Sequence, residues 1–68
     1  MNLIKKIAEN VEEKRIKLDI SVERLSEIAD ISLSTLNKLR RQSSSYVRVD
    51  TLYALAKALG CKMDDLVK

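Results

Sequence analysis

The sequence predicts an all-α fold, a compact bundle of five helices in one small domain covering residues 1–68. The chain has 68 residues, a length at which one modest core is expected. It contains no Pro and one Gly, and aromatic residues make up only 3%, so little in it favours strands or interrupts helices. Its apolar residues recur at helical spacing rather than in alternation, which favours a helical bundle.

The first helix is predicted over residues 2–17. Its apolar stripe is Ile4, Ile7, Ala8, Val11 and Leu18. Basic residues in its last turn complement the negative end of the helix dipole. Asp19 is expected to end the helix in the left-handed conformation that Gly usually adopts. Ile20 then stands ahead of the next helix, where a hydrophobic staple is expected.

Residues 21–41 predict two short helices joined by a tight turn. The apolar positions of the first are Val22, Leu25, Ile28 and Ala29. Ser21 and Ser32 are the expected N-caps of the two helices, and Asp30 and Ile31 complete the turn between them. Ser26 is small where two helices must cross closely. This arrangement predicts a helix-turn-helix formed by helices two and three.

The second helix of this motif has two different faces. At about 100° per residue, Leu36 and Leu39 lie on the inner side. The opposite side carries Ser34, Asn37, Lys38 and Arg41. Hydroxyl, amide and cationic groups together suit base edges and phosphates. The alternative is an ordinary solvated helix face.

Positive charge is concentrated in the same part of the chain. Between Ile31 and Val49 there are four basic residues and no acidic one, a net charge of +4. The remaining nine basic and ten acidic residues give −1. Such a basic stripe is typical of a nucleic-acid-binding surface. The alternative is chance clustering that serves solubility.

A fourth helix is predicted to begin near Val49 or Asp50, after a loop over residues 42–47. Its buried stripe is expected to be Leu52, Tyr53, Leu55, Ala56 and Leu59. Gly60 is expected to end it. A short last helix then carries Met63, Leu66 and Val67.

Several function classes have no support in the sequence. It has no His, one Cys, no Gly-rich phosphate loop and no cluster with metal-ligand spacing, so we expect no enzyme activity, metal or cofactor. No small-molecule ligand is evident. No apolar run is long enough to span a bilayer, so no membrane partner is expected. A single Cys fits a reducing cytoplasm, and Cys61 is expected to be a small core residue rather than a redox or intersubunit group.

From about Val11 to Lys68 the chain resembles the Cro- and phage-repressor-type helix-turn-helix domain, also called the XRE family. The residues that carry the resemblance are Arg15, Leu25-Ser26, Ala29 to Ser32, Leu36, Leu39, Thr51 to Gly60 and Met63 to Leu66. It implies a five-helix bundle of the phage-repressor DNA-binding type. It also implies a sequence-specific transcriptional regulator, a repressor that binds double-stranded DNA as a homodimer on a palindromic operator, with helix 33–41 in the major groove.

The resemblance also assigns roles to individual residues. Base edges are expected to meet Leu33, Ser34, Asn37 and Lys38. The residues expected to contact phosphates are Ser21, Ser32, Arg41 and Gln42. Arg48 is expected to reach into the minor groove. Asn37 would pair with adenine, Lys38 with guanine, and Leu33 would touch a thymine methyl. The expected dimer surface is Val47, Val49, Met63 and Val67, although Met63 and Val67 also fit a satellite core.

The chain departs from the family pattern at several positions. Asp19, Asp30 and Gln42 stand where the family often has Gly, so three turns must form without it. Arg40 stands where the family usually has a Glu that pairs with the Arg at the position of Arg15. That pair cannot form here. We therefore expect Arg15 to turn toward Asp19 and Arg40 to swing toward a phosphate.

Two questions stay open at this point. The first concerns Tyr46, whose ring could cover the core or whose hydroxyl could contact a phosphate, and the sequence favours neither. A protein-interaction module, for example one with an antitoxin-like partner, would also keep this fold without binding specific DNA.

Overall fold

The computed structural model describes residues 3–43 and 46–68, and in these residues the chain forms α-helices and no strand. The helices are α1 (Leu3–Lys17), α2 (Val22–Ala29), α3 (Leu33–Arg40), α4 (Val49–Leu59) and α5 (Met63–Val67). The predicted five-helix, all-α bundle is confirmed. The predicted start of the first helix at Asn2, and part of the predicted loop after Arg41, lie outside the described residues.

The core lies where α1 and α4 meet the other helices. α1 packs against α3, α4 and α5, while α2 packs against α3 and α4, and α4 also packs against α5. The buried cluster is Ile7, Val11, Leu25, Ala29, Leu36, Leu39, Leu55, Ala56, Leu59 and Leu66. Each of the five helices contributes to it, so the helix-turn-helix cannot move as a unit without opening the core.

Four helix ends in the described residues use the same left-handed turn. Asp19, Asp30, Gln42 and Gly60 have φ of 57°, 56°, 58° and 70°. The next residue then donates its N–H to a carbonyl five residues back, as from Ile31 to Ser26 at 3.0 Å. This bond satisfies a carbonyl that the helix end leaves without a partner. The predicted turns without glycine are confirmed.

The predicted apolar stripes extend too far at three positions. Leu18, Ile28 and Tyr53 are exposed to 50%, 45% and 57%. Leu18 lies beyond the last residue of α1. Ile28 and Tyr53 each lie about 100° around their helix from the centre of its buried residues, at 100° per residue. The predicted burial of Tyr53 is therefore wrong. The prediction relied on the apolar character of the side chain and not on its angular position around the helix axis.

Candidate nucleic-acid interface

Hydrogen-bonded caps fix the start of both helices of the helix-turn-helix. The Ser21 hydroxyl accepts from the backbone N–H of Arg24 at 3.0 Å. The Ser32 hydroxyl accepts from the N–H of Thr35 at 3.0 Å and donates to its hydroxyl at 2.7 Å. Each cap satisfies an N–H that the first helical turn leaves without a partner. Both predicted caps are confirmed.

Two side chains that point toward the core, Ser26 and Ile31, stabilise the turn between the two helices. Ser26 is 8% exposed, and its hydroxyl donates to the carbonyl of Glu23 at 2.7 Å, so this small buried polar group has a partner. Ile31 is half-buried and packs against the core cluster. Ser26 is therefore small and buried, as expected where two helices cross closely.

A network of charged side chains joins α1 to α3. The Glu12 carboxylate accepts from Arg15 Nε at 3.0 Å and Nη2 at 2.9 Å. It also accepts from Arg40 Nε at 2.8 Å. Arg15 Nη1 reaches on to the carbonyl of Ile20 at 2.7 Å, just before α2. Glu12 thus ties α1 to α3, and Arg15 ties α1 to the segment just before α2.

The expectation that Arg15 turns toward Asp19 while Arg40 swings toward a phosphate is wrong. Both guanidinium groups instead share Glu12, whose carboxylate lies between the two cations. The hydrogen bond from Arg15 is the main cause that lowers the pKa of Glu12 from its ordinary 4.5 to about 2, and the one from Arg40 adds to it against the cost of burial. The carboxylate therefore stays charged at neutral pH.

Asn37 is the member of the predicted base-contacting set that the network reaches. Arg40 Nη1 donates to Asn37 Oδ1 at 3.1 Å, and the residue is half-buried. Arg40 is thus positioned from one side by Glu12 and holds the Asn37 amide on the other. Sequence reasoning missed Glu12, although its spacing of three from Arg15 on a helix is a common signal for an ion pair.

The outer face of α3 presents the remaining predicted residues. Leu33 is 39% exposed, and the other exposed residues along this face are Ser34, Lys38, Arg41 and Gln42. Gln42 lies just beyond the helix, where its N–H donates to the carbonyl of Leu39 at 3.0 Å. These side chains form a continuous polar and cationic surface on a helix whose inner side is anchored by the core.

An open groove of about 590 Å³ lies beside this surface, between α3 and the start of α4. Its polar lining is Thr35, Lys38, Ser43, Tyr46, Arg48 and Thr51. Arg48 Nη2 makes an exposed ion pair with Asp50 Oδ2 at 3.1 Å. Such pairs are weak, so Arg48 remains available to another anion. Thr35 and Thr51 were not predicted here, since their place depends on how α4 packs.

Comparison with known families identifies the domain that carries this surface. The Cro/C1-type HTH DNA-binding domain family matches residues 10–68. The chain belongs to the Cro/C1-type HTH DNA-binding domain family. No significant match is found among curated proteins or among solved structures.

As a Cro/C1-type domain, the chain is a DNA-binding transcription regulator in general terms, and the family is typically non-enzymatic. No helix formed by the described residues is long and apolar enough to cross a membrane. Nor does that part of the chain contain a group of three or more His, Cys, Asp or Glu placed to hold a metal ion.

The residues predicted for a dimer surface lie in different environments in this Cro/C1-type domain. Val47, Met63 and Val67 are half-buried against the core, whereas Val49 is 73% exposed. Tyr53, one turn after Val49, is also exposed, and it lines a second groove of about 440 Å³ together with Met63. The exposed apolar surface here thus includes a residue that the sequence assigned to the core.

Cys61 and Asp65 each have a structural role, one against the core and the other at the start of α5. Cys61 is partly buried against the core, and burial raises the pKa of its thiol, which keeps the group protonated. Asp65 accepts from the Lys62 N–H at the start of α5 at 3.1 Å, and this hydrogen bond lowers the pKa of its carboxyl.

Proposed function

We propose that this protein is a sequence-specific transcriptional repressor that binds a palindromic operator as a homodimer, with α3 in the major groove. The observation that carries the proposal is the exposed face of α3, polar and cationic along its length and held in place by the core, the caps and Glu12. A rigid helix presenting donors and acceptors suits direct reading of base edges.

The proposed contacts with DNA are of two kinds. The proposed base-contacting residues are Leu33, Ser34, Asn37 and Lys38. The proposed phosphate contacts are Ser21, Ser32, Arg41 and Gln42. Both serines stand at helix N-termini, where free N–H groups and the helix dipole favour a phosphate. Arg41 is exposed at the other end of α3 and would position the helix without reading sequence.

Arg48 is the proposed minor-groove residue. It precedes α4, is exposed, and shares the groove beside α3 with Lys38. A narrow, A·T-rich minor groove has a strongly negative potential, which would draw the guanidinium away from Asp50.

A second copy of the chain completes the proposed assembly. One such domain reads only a few base pairs, and two copies related by a two-fold axis would read half-sites roughly 34 Å apart. The proposed contact residues are Val47, Val49, Met63 and Val67, and the exposed Tyr53 joins them. Tyr53 and Met63 line a groove that contains no residue of α3, so this part of the surface leaves α3 free for DNA.

Selection of bound sites from random duplexes tests this proposal. The expected product is a sequence with two inverted half-sites, bound by two copies of the chain. Recovery of a single unrepeated half-site would contradict the homodimer, and recovery of no preferred sequence would contradict specific DNA binding and favour a protein-interaction module.

A further inference from the structure

We infer that Arg40, held by Glu12, is a positioning residue that orients the Asn37 amide so that its Nδ2 group meets an acceptor on the contacted base, which disfavours cytosine. The inference rests on the proposed function, because it requires α3 to enter the major groove. The predicted pairing of Asn37 with adenine is one form of this contact, because adenine N7 is an acceptor.

The orientation of the amide follows from the chemistry of its neighbour. Arg40 Nη1 lies 3.1 Å from Asn37 Oδ1. A guanidinium can only donate hydrogen bonds, so the amide atom that faces it must be the oxygen. The other arm of the planar amide is then the Nδ2 group, which can only donate.

The guanidinium that holds this oxygen is itself fixed. Its Nε donates to Glu12 Oε1 at 2.8 Å, so two atoms of one rigid plane are bound at once. Glu12 is held in turn by two hydrogen bonds from Arg15, which also donates to the carbonyl of Ile20 at 2.7 Å. The amide is thus oriented before DNA arrives, which reduces the ordering needed on binding.

The major-groove edges of the bases respond differently to such a donor. Guanine O6, thymine O4 and the N7 atoms of both purines are acceptors, whereas cytosine presents only its N4 donor. The amide oxygen keeps a second lone pair beside Arg40, so pairing with adenine through N7 and N6 is also compatible with this orientation. The outward Nδ2 group therefore favours guanine, adenine or thymine over cytosine on the contacted strand.

Affinity measurements on the full chain test this base preference. The base pair to examine is the one whose preference Asn37→Ala relaxes, placed in the selected duplex with each of the four bases in turn. The unaltered chain is expected to bind the duplex with cytosine there about fivefold less tightly than the duplex with the preferred base, the lower end of one base contact. A preference for cytosine would overturn the inference.

Two variants separate the positioning role from charge and from folding. Arg40→Lys keeps the cation, but an ammonium cannot bind Glu12 and Asn37 as one planar group does. It is expected to lose the preference at that base pair and keep preferences elsewhere, and Glu12→Gln is expected to weaken the same preference. The matched control, Arg24→Lys at an exposed position on α2, should leave base preference unchanged. An unchanged preference in folded Arg40→Lys would overturn the inference.

A measurement without DNA tests the same contact. In nuclear magnetic resonance spectra of the free protein, the side-chain amide signals of Asn37 are expected to shift in Arg40→Lys and Glu12→Gln but not in Arg24→Lys. Unshifted signals would overturn the inference while leaving the proposed function standing. If the unaltered chain binds every duplex alike, the proposed function fails and the base preference fails with it.

Discussion

At the scale of single residues, the left-handed turns contain residues whose backbone conformation has a steric cost. Gln42 has a φ of 58° although it carries a side chain. Asp19 and Asp30 share this conformation, but Asp tolerates it better than Gln does. Gln42 is therefore the position at which glycine is expected to help most.

Gln42→Gly is expected to raise the free energy of unfolding by about 0.5–1 kcal/mol, because glycine adopts positive φ without steric cost. The melting temperature followed by circular dichroism should rise by a few degrees. Arg41→Gly is the control, since Arg41 has a φ of −82° and gains nothing from glycine. A lower melting temperature for Gln42→Gly would show that its side chain contributes more than the strain costs.

Two neighbouring cations of α3 are expected to act differently on DNA. Arg41→Ala should weaken binding to all sequences alike and reduce the salt slope of the affinity by about one unit, as expected for a phosphate contact. Lys38→Ala should instead relax the preference at one base pair by about 1–3 kcal/mol. The exposed Lys17 on α1, which pairs with Glu13, supplies a charge-matched control as Lys17→Ala. Equal losses on every sequence for Arg41→Ala and Lys38→Ala would contradict this division.

At the scale of the helices, Glu12 couples the stability of the bundle to pH. The folded-state pKa of Glu12 lies near 2, below its ordinary 4.5. The unfolded chain therefore binds the proton more readily, and the stabilisation is fully present above about pH 5 and is lost as the pH falls toward 2. Because the carboxylate is partly exposed, we expect this contribution to be about 2 kcal/mol.

Denaturant unfolding at several pH values checks this prediction. Glu12→Gln should be less stable than the unaltered protein at pH 7 and approach it near pH 2. Glu13→Gln is the matched control, because Glu13 is exposed and its pair with Lys17 should contribute little. A constant difference between Glu12→Gln and the unaltered protein at all pH values would contradict the role given to the carboxylate.

Local signals explain how much of the architecture could be predicted from the sequence. Helix period, the serines at N-caps and the residues at left-handed turns are properties of neighbouring positions, so the helix-turn-helix and its turns were found. The partner of Arg40 depends on how α1 lies against α3, since Glu12 is 28 residues away along the chain. Arg40→Glu would restore the residue that the family usually pairs with the Arg at the position of Arg15. In this fold it would place a second carboxylate beside Glu12, because Arg40 lies against that residue.

The candidate site was predictable to a similar extent. Amphipathic period places Ser34, Lys38 and Arg41 on the outer face of α3, and the structure leaves them exposed. It also indicated Asn37, but the hydrogen bond that holds its oxygen comes from a tertiary network. Thr35 and Thr51 line one groove only because the fold brings the start of α4 opposite α3. Their part in the surface could not be read from spacing alone.

At the scale of the whole molecule, an apolar surface is expected to hold two copies together on DNA. It combines the exposed Val49 and Tyr53 of α4 with the half-buried Met63 and Val67 of α5. Tyr53→Glu places a charge in this surface without entering the core, so folding should be retained while the two-copy complex is weakened at least tenfold, an effect typical of an interface hot spot. Sedimentation with a two-half-site duplex measures this. Ile28→Glu, at an exposed apolar position on α2, is the control. A two-copy complex that is unaffected by Tyr53→Glu would exclude this surface as the interface.

The central claim is that the helix-turn-helix surface around α3 reads duplex DNA. Fluorescence anisotropy tests it most directly, by titrating the protein onto the selected duplex and onto a scrambled duplex of equal length and composition at several salt concentrations. The account predicts tighter binding to the selected duplex at every salt concentration, with the logarithm of both affinities falling linearly as the logarithm of salt rises. Equal affinity for the two duplexes, or an affinity that does not change with salt, would contradict it.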